Sequence, residues 1–141
     1  MSIFALENID EVKNGACSFF KLSYNGRCFY DEFCEEIGNN AIEKKQLNII
    51  RTYMNLMAET NLQLPSVKFN SIKQGNKVIA YEFKSKDLRI YVVKQDPNIF
   101  VILGGHKKNQ NKDIDYLKKH ILSDEFYQYI QDSSNLPTSK K

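Results

Sequence analysis

Along the first half of the chain the spacing of apolar positions changes twice. Residues 16–26, ACSFFKLSYNG, alternate aromatic with polar side chains and close on Asn25-Gly26, a strong turn pair. They predict a β-strand, with the earlier SIFALE as its hairpin partner. In CFYDEFCEEIG, Phe29, Phe33 and Ile37 recur at i, i+4 and i+8 with acidic residues on the other faces, which predicts a short helix stopped by Gly38. A longer helix is expected from Asn40. Its predicted apolar stripe is Ile42, Leu47, Ile49, Ile50, Tyr53, Met54 and Met57, and TNLQLP ends it before Pro65.

The second half has the period of a sheet. VKFNSIK, KVIAYEFK, LRIYVVK and NIFVILGG read as four strands, separated by QGN, SKD and QDP, which are connections short enough for an antiparallel meander. Neighbours on a strand point to opposite faces, so Ile79, Tyr81 and Phe83 share one face and Ala80, Glu82 and Lys84 the other. In the next strand Leu88, Ile90 and Val92 oppose Arg89, Tyr91 and Val93. One face is apolar enough to pack on helices; the other mixes charge with tyrosine and is expected to stay open. A last helix is expected from about Asn111, with Ile114, Leu117 and Ile121 inward, extending or restarting through DEFYQYI. The pattern as a whole predicts an α+β fold: an antiparallel β-sheet of about four strands packed against two N-terminal helices, with a C-terminal helix. Residues 1–132 form a single domain in this reading, and residues 133–141 a polar, disordered tail.

Composition narrows the function classes. A chain of 141 residues can bury a core without disulfides or a structural metal. Cys17, Cys28 and Cys34 are an odd number, with no C-x-x-C pair and no nearby histidine, and so read as reduced, mostly buried thiols. No apolar run approaches the ~18 residues of a membrane span, and the N-terminal stretch is acidic where a leader is basic. A cytoplasmic protein with no membrane partner is expected. The net charge of +3 is unevenly spread: residues 1–67 carry −3, residues 68–120 carry +7 and residues 121–141 carry −1. A positive middle third suits a polyanionic partner, or else Lys-rich strands that resist edge-to-edge pairing. There is no G-x-G-x-x-G, Walker loop, H-E-x-x-H or G-x-S-x-G, nor carboxylates at metal-ligand spacing, so neither a cofactor nor a metal centre is expected.

Strand, two helices, antiparallel strands, basic loop and helix, in that order, resemble the RelE/ParE toxin superfamily, especially its phage-derived HigB-like branch. The likeness is carried by FYDEFCEEI, the long helix after it, YEFKSKDLRIYVV, the apolar strand and the lysine-rich loop, and it spans roughly residues 16–122. It implies a toxin of a two-component toxin–antitoxin system that cuts mRNA on the ribosome, with a cognate antitoxin protein as partner, as a homodimer or in a toxin–antitoxin heterotetramer. A ParE-like minority instead inhibits DNA gyrase, and a non-catalytic binding protein on the same fold is the alternative. The resemblance places Arg89 at the family's phosphate-approaching strand arginine, Lys84 at a basic position of the preceding strand, and Lys107 and Lys108 at the basic pair after the last strand. Two positions depart from the family's pattern: no proline follows that lysine pair, and His106 stands where an aromatic residue is common.

Metal-independent RNA cleavage needs a base for the 2′-hydroxyl proton, cations for the charge building on phosphorus, and an acid for the 5′-oxygen. Arg89, the only arginine in the β half, suits the second role through its planar fork, or else is a cross-strand partner of Glu82. His106 is the loop side chain that titrates near neutrality, and Gly104-Gly105 lets the backbone bring it close to a ligand. Glu82 is the rival base, or an ion-pair partner of Arg89 or Lys84. Lys107 and Lys108, with Lys112, are expected on backbone phosphates or in a solvated loop. Tyr91 either stacks on a base or is half-buried sheet surface. Tyr116 and His120, at i and i+4, share one helix face.

Overall fold

The computed structural model describes residues 3–61, 64–72 and 80–137. Among these residues six strands form one mixed sheet in the order β1-β2-β6-β5-β4-β3. The strands are β1 (Phe4–Asn8), β2 (Ser18–Tyr24), β3 (Phe69–Ile72), β4 (Ala80–Lys84), β5 (Leu88–Gln95) and β6 (Asn98–His106). The fold is therefore α+β, as the pattern predicts, but its sheet has six strands rather than about four and is not wholly antiparallel. β1 and β2 form the expected hairpin partners, β3 to β6 form the expected meander, and a parallel pairing of β2 with β6 joins the two halves. The QGN turn lies outside the described residues.

Local chemistry sets the N-terminal helices. Asn25 and Gly26, both at positive φ, turn the chain out of β2. Helix α1 (Phe29–Ile37) opens with Asp31 and Glu32 in its first turn, where the backbone N–H groups favour acids, and ends at Gly38. Gly38 has φ 51 and ψ −120, a conformation that only glycine adopts without strain. Helix α2 (Ala41–Thr60) is capped by the Asn40 side chain, which accepts a 3.0 Å bond from the Glu43 N–H, and closes on Asn61 in the left-handed region. Its inner stripe is Gln46, Leu47, Ile50, Met54, Met57 and Ala58. Ile42 and Ile49, expected in that stripe, lie outside it at 71% and 40% exposure. A 20-residue helix lying on a sheet presents only one narrow face, and their angular positions miss it.

The C-terminal segment departs most from expectation. A 3-10 turn (Lys107–Asn109) leads into α3 (Gln110–Tyr116), which widens into a π turn (Leu117–Ile121) before α4 (Asp124–Gln131) restarts behind an N-cap by Ser123. These elements cover the face expected to stay open. Tyr91, Val93, Phe100 and Ile102 of the sheet are buried together with Leu117, Ile121, Phe126 and Ile130 in a second core, while Phe83, Ile90 and Val92 form the first core with α1 and α2. The sheet is thus sandwiched between two helical layers. Ser133–Asn135 add a further 3-10 turn and Leu136 packs against the second core, so the predicted tail is ordered at its start. Residues 138–141 lie outside the described residues.

One irregularity decides where the ends of the strands point. Tyr91 pairs with Leu103 and Val92 with Val101, so Ile102 has no partner and forms a β-bulge in β6. Ile102 and Leu103 consequently both face the second core, and alternation beyond them is reversed relative to an unbroken strand.

Candidate functional site

The bulge separates residues that the sequence brings to one end of the chain. Past it, Gly105 faces the C-terminal layer together with Arg89, whereas His106 faces α1 and α2. Each of the paired glycines makes room for a side chain. A Cβ on Gly104 would collide with the Phe33 ring and come within 2.8 Å of Ile90, and one on Gly105 would collide with the Asp113 carboxylate. Close packing on both faces, rather than delivery of His106 to a ligand, accounts for this Gly-Gly pair.

On the C-terminal face Arg89 and Glu82 are buried, with 7% and 4% of their surface exposed. Arg89 donates from Nη1 to the carbonyls of Ser85 (2.7 Å) and Leu88 (2.8 Å), and its Nε lies 3.8 Å from Glu82 Oε1. Glu82 accepts from Gln110 Nε2 at 2.5 Å and from Asn70 at 3.4 Å. Of the two readings of Arg89, cross-strand partnership with Glu82 describes this geometry, except that the pair is buried rather than exposed. Tyr91 is wholly buried, and its hydroxyl lacks a hydrogen bond. Burial pushes the Tyr91 hydroxyl well above its ordinary pKa, and the nearby Asp113 and Glu82 carboxylates add to the shift. Lys84 stands opposite Arg89 in the β4–β5 register and is half-buried; Lys112 is exposed on α3.

On the other face His106 occupies a more open position. Its Nε2 lies 2.9 Å from Glu43 Oε2, with the two side chains 21% and 26% exposed, and the Phe33 ring meets the imidazole edge-on at 5.5 Å. The pair opens onto a cleft of about 520 Å³, also lined by Asp87, Lys107 and Lys108. Both lysines are exposed. Gln46 fixes the neighbouring β4–β5 turn: its Oε1 accepts from Asp87 N–H (2.7 Å) and Ser85 Oγ (2.9 Å), and its Nε2 donates to Asp87 Oδ2 (2.8 Å). The Lys107 N–H bonds the Asp87 carbonyl at 2.7 Å, so the same turn also holds the lysine loop. This turn stands between the two clusters, anchored by Gln46 on one side and bonded by Arg89 on the other.

Sequence reasoning missed Glu43, Gln46 and Asp113. Glu43 reads as the N3 glutamate of a capping box after Asn40, but its carboxylate turns to His106 instead. Gln46 carries a usable signal, since it is a polar residue spaced by four from Ile50 and by eight from Met54 on the buried stripe. Asp113 carries none. Tyr116 and His120 do meet, with ring centroids 4.6 Å apart, and Tyr116 packs edge-on against Phe29 of α1. Burial raises the Cys17 and Cys34 thiols above their usual range and carries Cys28 to about 11, so all three stay protonated and unreactive at neutral pH. Among the described residues no cluster of three His, Cys, Asp or Glu side chains is arranged to hold a metal ion, and no helix is long and apolar enough to cross a membrane.

No protein-family model, no curated protein and no solved structure matches this chain.

Proposed function

We propose that the protein is a RelE-like toxin of the HigB-like type, a metal-independent endoribonuclease that cuts mRNA on the ribosome and is held in check by a cognate antitoxin. The observation carrying this reading is the His106–Glu43 pair, 2.9 Å apart, beside Lys107 and Lys108 in one cleft. Glu43 takes His106 Nε2, which leaves Nδ1 as the ring nitrogen that can exchange a proton with a ligand. In the proposed reaction Nδ1 accepts the 2′-hydroxyl proton, the 2′-oxygen attacks phosphorus to close a 2′,3′-cyclic phosphate, and the bond to the 5′-oxygen breaks as that oxygen takes a proton from solvent, to which the imidazolium then returns its own. Glu43 fixes the ring and stabilises the imidazolium that forms, and the lysines bind phosphates on either side of the scissile one. General base catalysis of this kind is worth about 10²–10⁴-fold in rate.

A second reading is favoured by the burial of Arg89, the cation best suited to a developing phosphorane. With its guanidinium turned to Ser85, Leu88 and Glu82, the molecule has the character of a non-catalytic binding protein, whether a ParE-like gyrase inhibitor or an RNA-binding domain. Induction in bacteria without a partner protein separates the two. The proposed activity stops methionine incorporation before thymidine incorporation, and His106→Ala relieves the arrest. Loss of DNA synthesis first, with messages intact, would leave the gyrase-directed reading.

A further inference from the structure

We propose that α3 is a lid hinged on the π turn, closed in this structure over the buried Arg89–Glu82 pair and Tyr91. Three features of the molecule carry the proposal. First, α3 buries none of its own seven residues, and no side chain caps its N-terminus. Its attachments are the Gln110–Glu82 hydrogen bond, Asp113 seated over Gly105, the Tyr116–Phe29 ring contact and a partly buried Ile114. The following π turn is instead anchored by Leu117 and Ile121, both fully buried, so the chain has a firm pivot beyond a loosely held helix. Widened π turns of this sort are frequent at functional sites.

Second, the contact between α3 and the sheet is unfavourable to keep closed. Arg89 Nε, Tyr91 Oη and Asp113 Oδ2 are buried without a hydrogen bond, and they make up three of the four such side-chain atoms among the described residues. The charges of Arg89, Glu82 and Asp113 all act on Tyr91, so these groups form one cluster. Buried donors and acceptors without partners are destabilising. Lifting α3 hydrates them, which offsets part of the packing that the helix gives up and so lowers the cost of opening relative to a fully paired interface.

Third, the lid has a space to move against. A cleft of about 410 Å³ separates α1 from α3, with Phe33 and Glu36 on one wall and Asp113 and Tyr116 on the other. With α3 raised, Arg89 can leave the Ser85 and Leu88 carbonyls at the end of the sheet that also carries Lys84, Lys107 and Lys108. The functional meaning of the lid rests on the nucleic-acid reading proposed above; its existence does not.

The chain has three arginines, Arg27, Arg51 and Arg89, which gives a test with an internal control. Phenylglyoxal labelling of the intact protein, read arginine by arginine by peptide mass spectrometry, measures how often Arg89 is uncovered. Gln110→Ala removes a bond to a charged group and is expected to speed Arg89 labelling about tenfold while leaving unchanged the labelling of Arg51, which is held by Tyr30 and Glu11 away from α3. Gln110→Glu keeps the shape and sets a like charge against Glu82, so it is expected to act in the same direction if the alanine variant folds poorly. Equal Arg89 labelling in wild type and both variants, with folding verified by circular dichroism, overturns the lid. Faster labelling without tighter binding of a short RNA oligonucleotide supports the lid and removes the reading of Arg89 as a phosphate ligand.

Discussion

Asp113 illustrates how one side chain here serves two neighbourhoods. It leans on Gly105, where a β-carbon would collide with its Oδ2, and burial raises its pKa above the ordinary carboxylate value even though Lys112 and His106 pull it down. A carboxyl whose folded pKa is raised holds its proton better in the native state than in the unfolded chain. Its contribution to stability is thus fully present below the unfolded pKa and is lost as pH rises through the folded value. At neutral pH the ionised Asp113 is a liability that a neutral isostere lacks. Asp113→Asn is therefore expected to melt higher than wild type at pH 7, with the difference shrinking as pH falls through the carboxylate range. A difference that grows toward low pH would mean that Asp113 is stabilised as an anion. Nothing in the sequence marks this residue, because its environment is made by a glycine eight positions earlier on a different element.

At the scale of elements, the glycine pair and the bulge do most to shape the candidate site. Gly104 lies in the first core against Phe33 and Ile90. Gly104→Ala overfills that space and is expected to destabilise the fold by about 1–3 kcal/mol in urea titrations. A neutral Gly104→Ala would show that α1 yields easily. What was legible in the sequence at this scale was governed locally. Asn25-Gly26 turns the chain, Gly38 stops α1, Asn40 starts α2, and the alternation of Phe83, Leu88, Ile90 and Val92 correctly assigns them to one face. What was not legible depends on pairing between strands. The extra residue at Ile102 exists only relative to β5, yet it moves His106 to the face opposite Arg89 and so divides one expected site into an open cleft and a covered cluster. The helix spacing of Ile114, Leu117 and Ile121 likewise shows an inner side, but not that this side closes the second face of the sheet.

For the molecule as a whole, the positive charge of residues 68–120 gathers partly at one end of the sheet, where Lys84, Lys107 and Lys108 surround the β4–β5 turn. If Lys107 and Lys108 each displace a counterion from single-stranded RNA, replacing both by alanine lowers the slope of log affinity against log salt by about 1.4. An unchanged slope returns them to a solvated loop. The central claim, that the His106–Glu43 cleft cleaves RNA by attack of the 2′-oxygen, has a direct chemical signature in the new ends. Ribosomes programmed with a defined message and incubated with the protein are expected to yield fragments with 5′-hydroxyl ends, labelled by polynucleotide kinase without prior phosphatase treatment. His106→Ala, folded as the wild type, is expected to slow their appearance by about a hundredfold or more. Intact messages, 5′-phosphate ends, or undiminished cleavage by the His106→Ala protein would contradict the account.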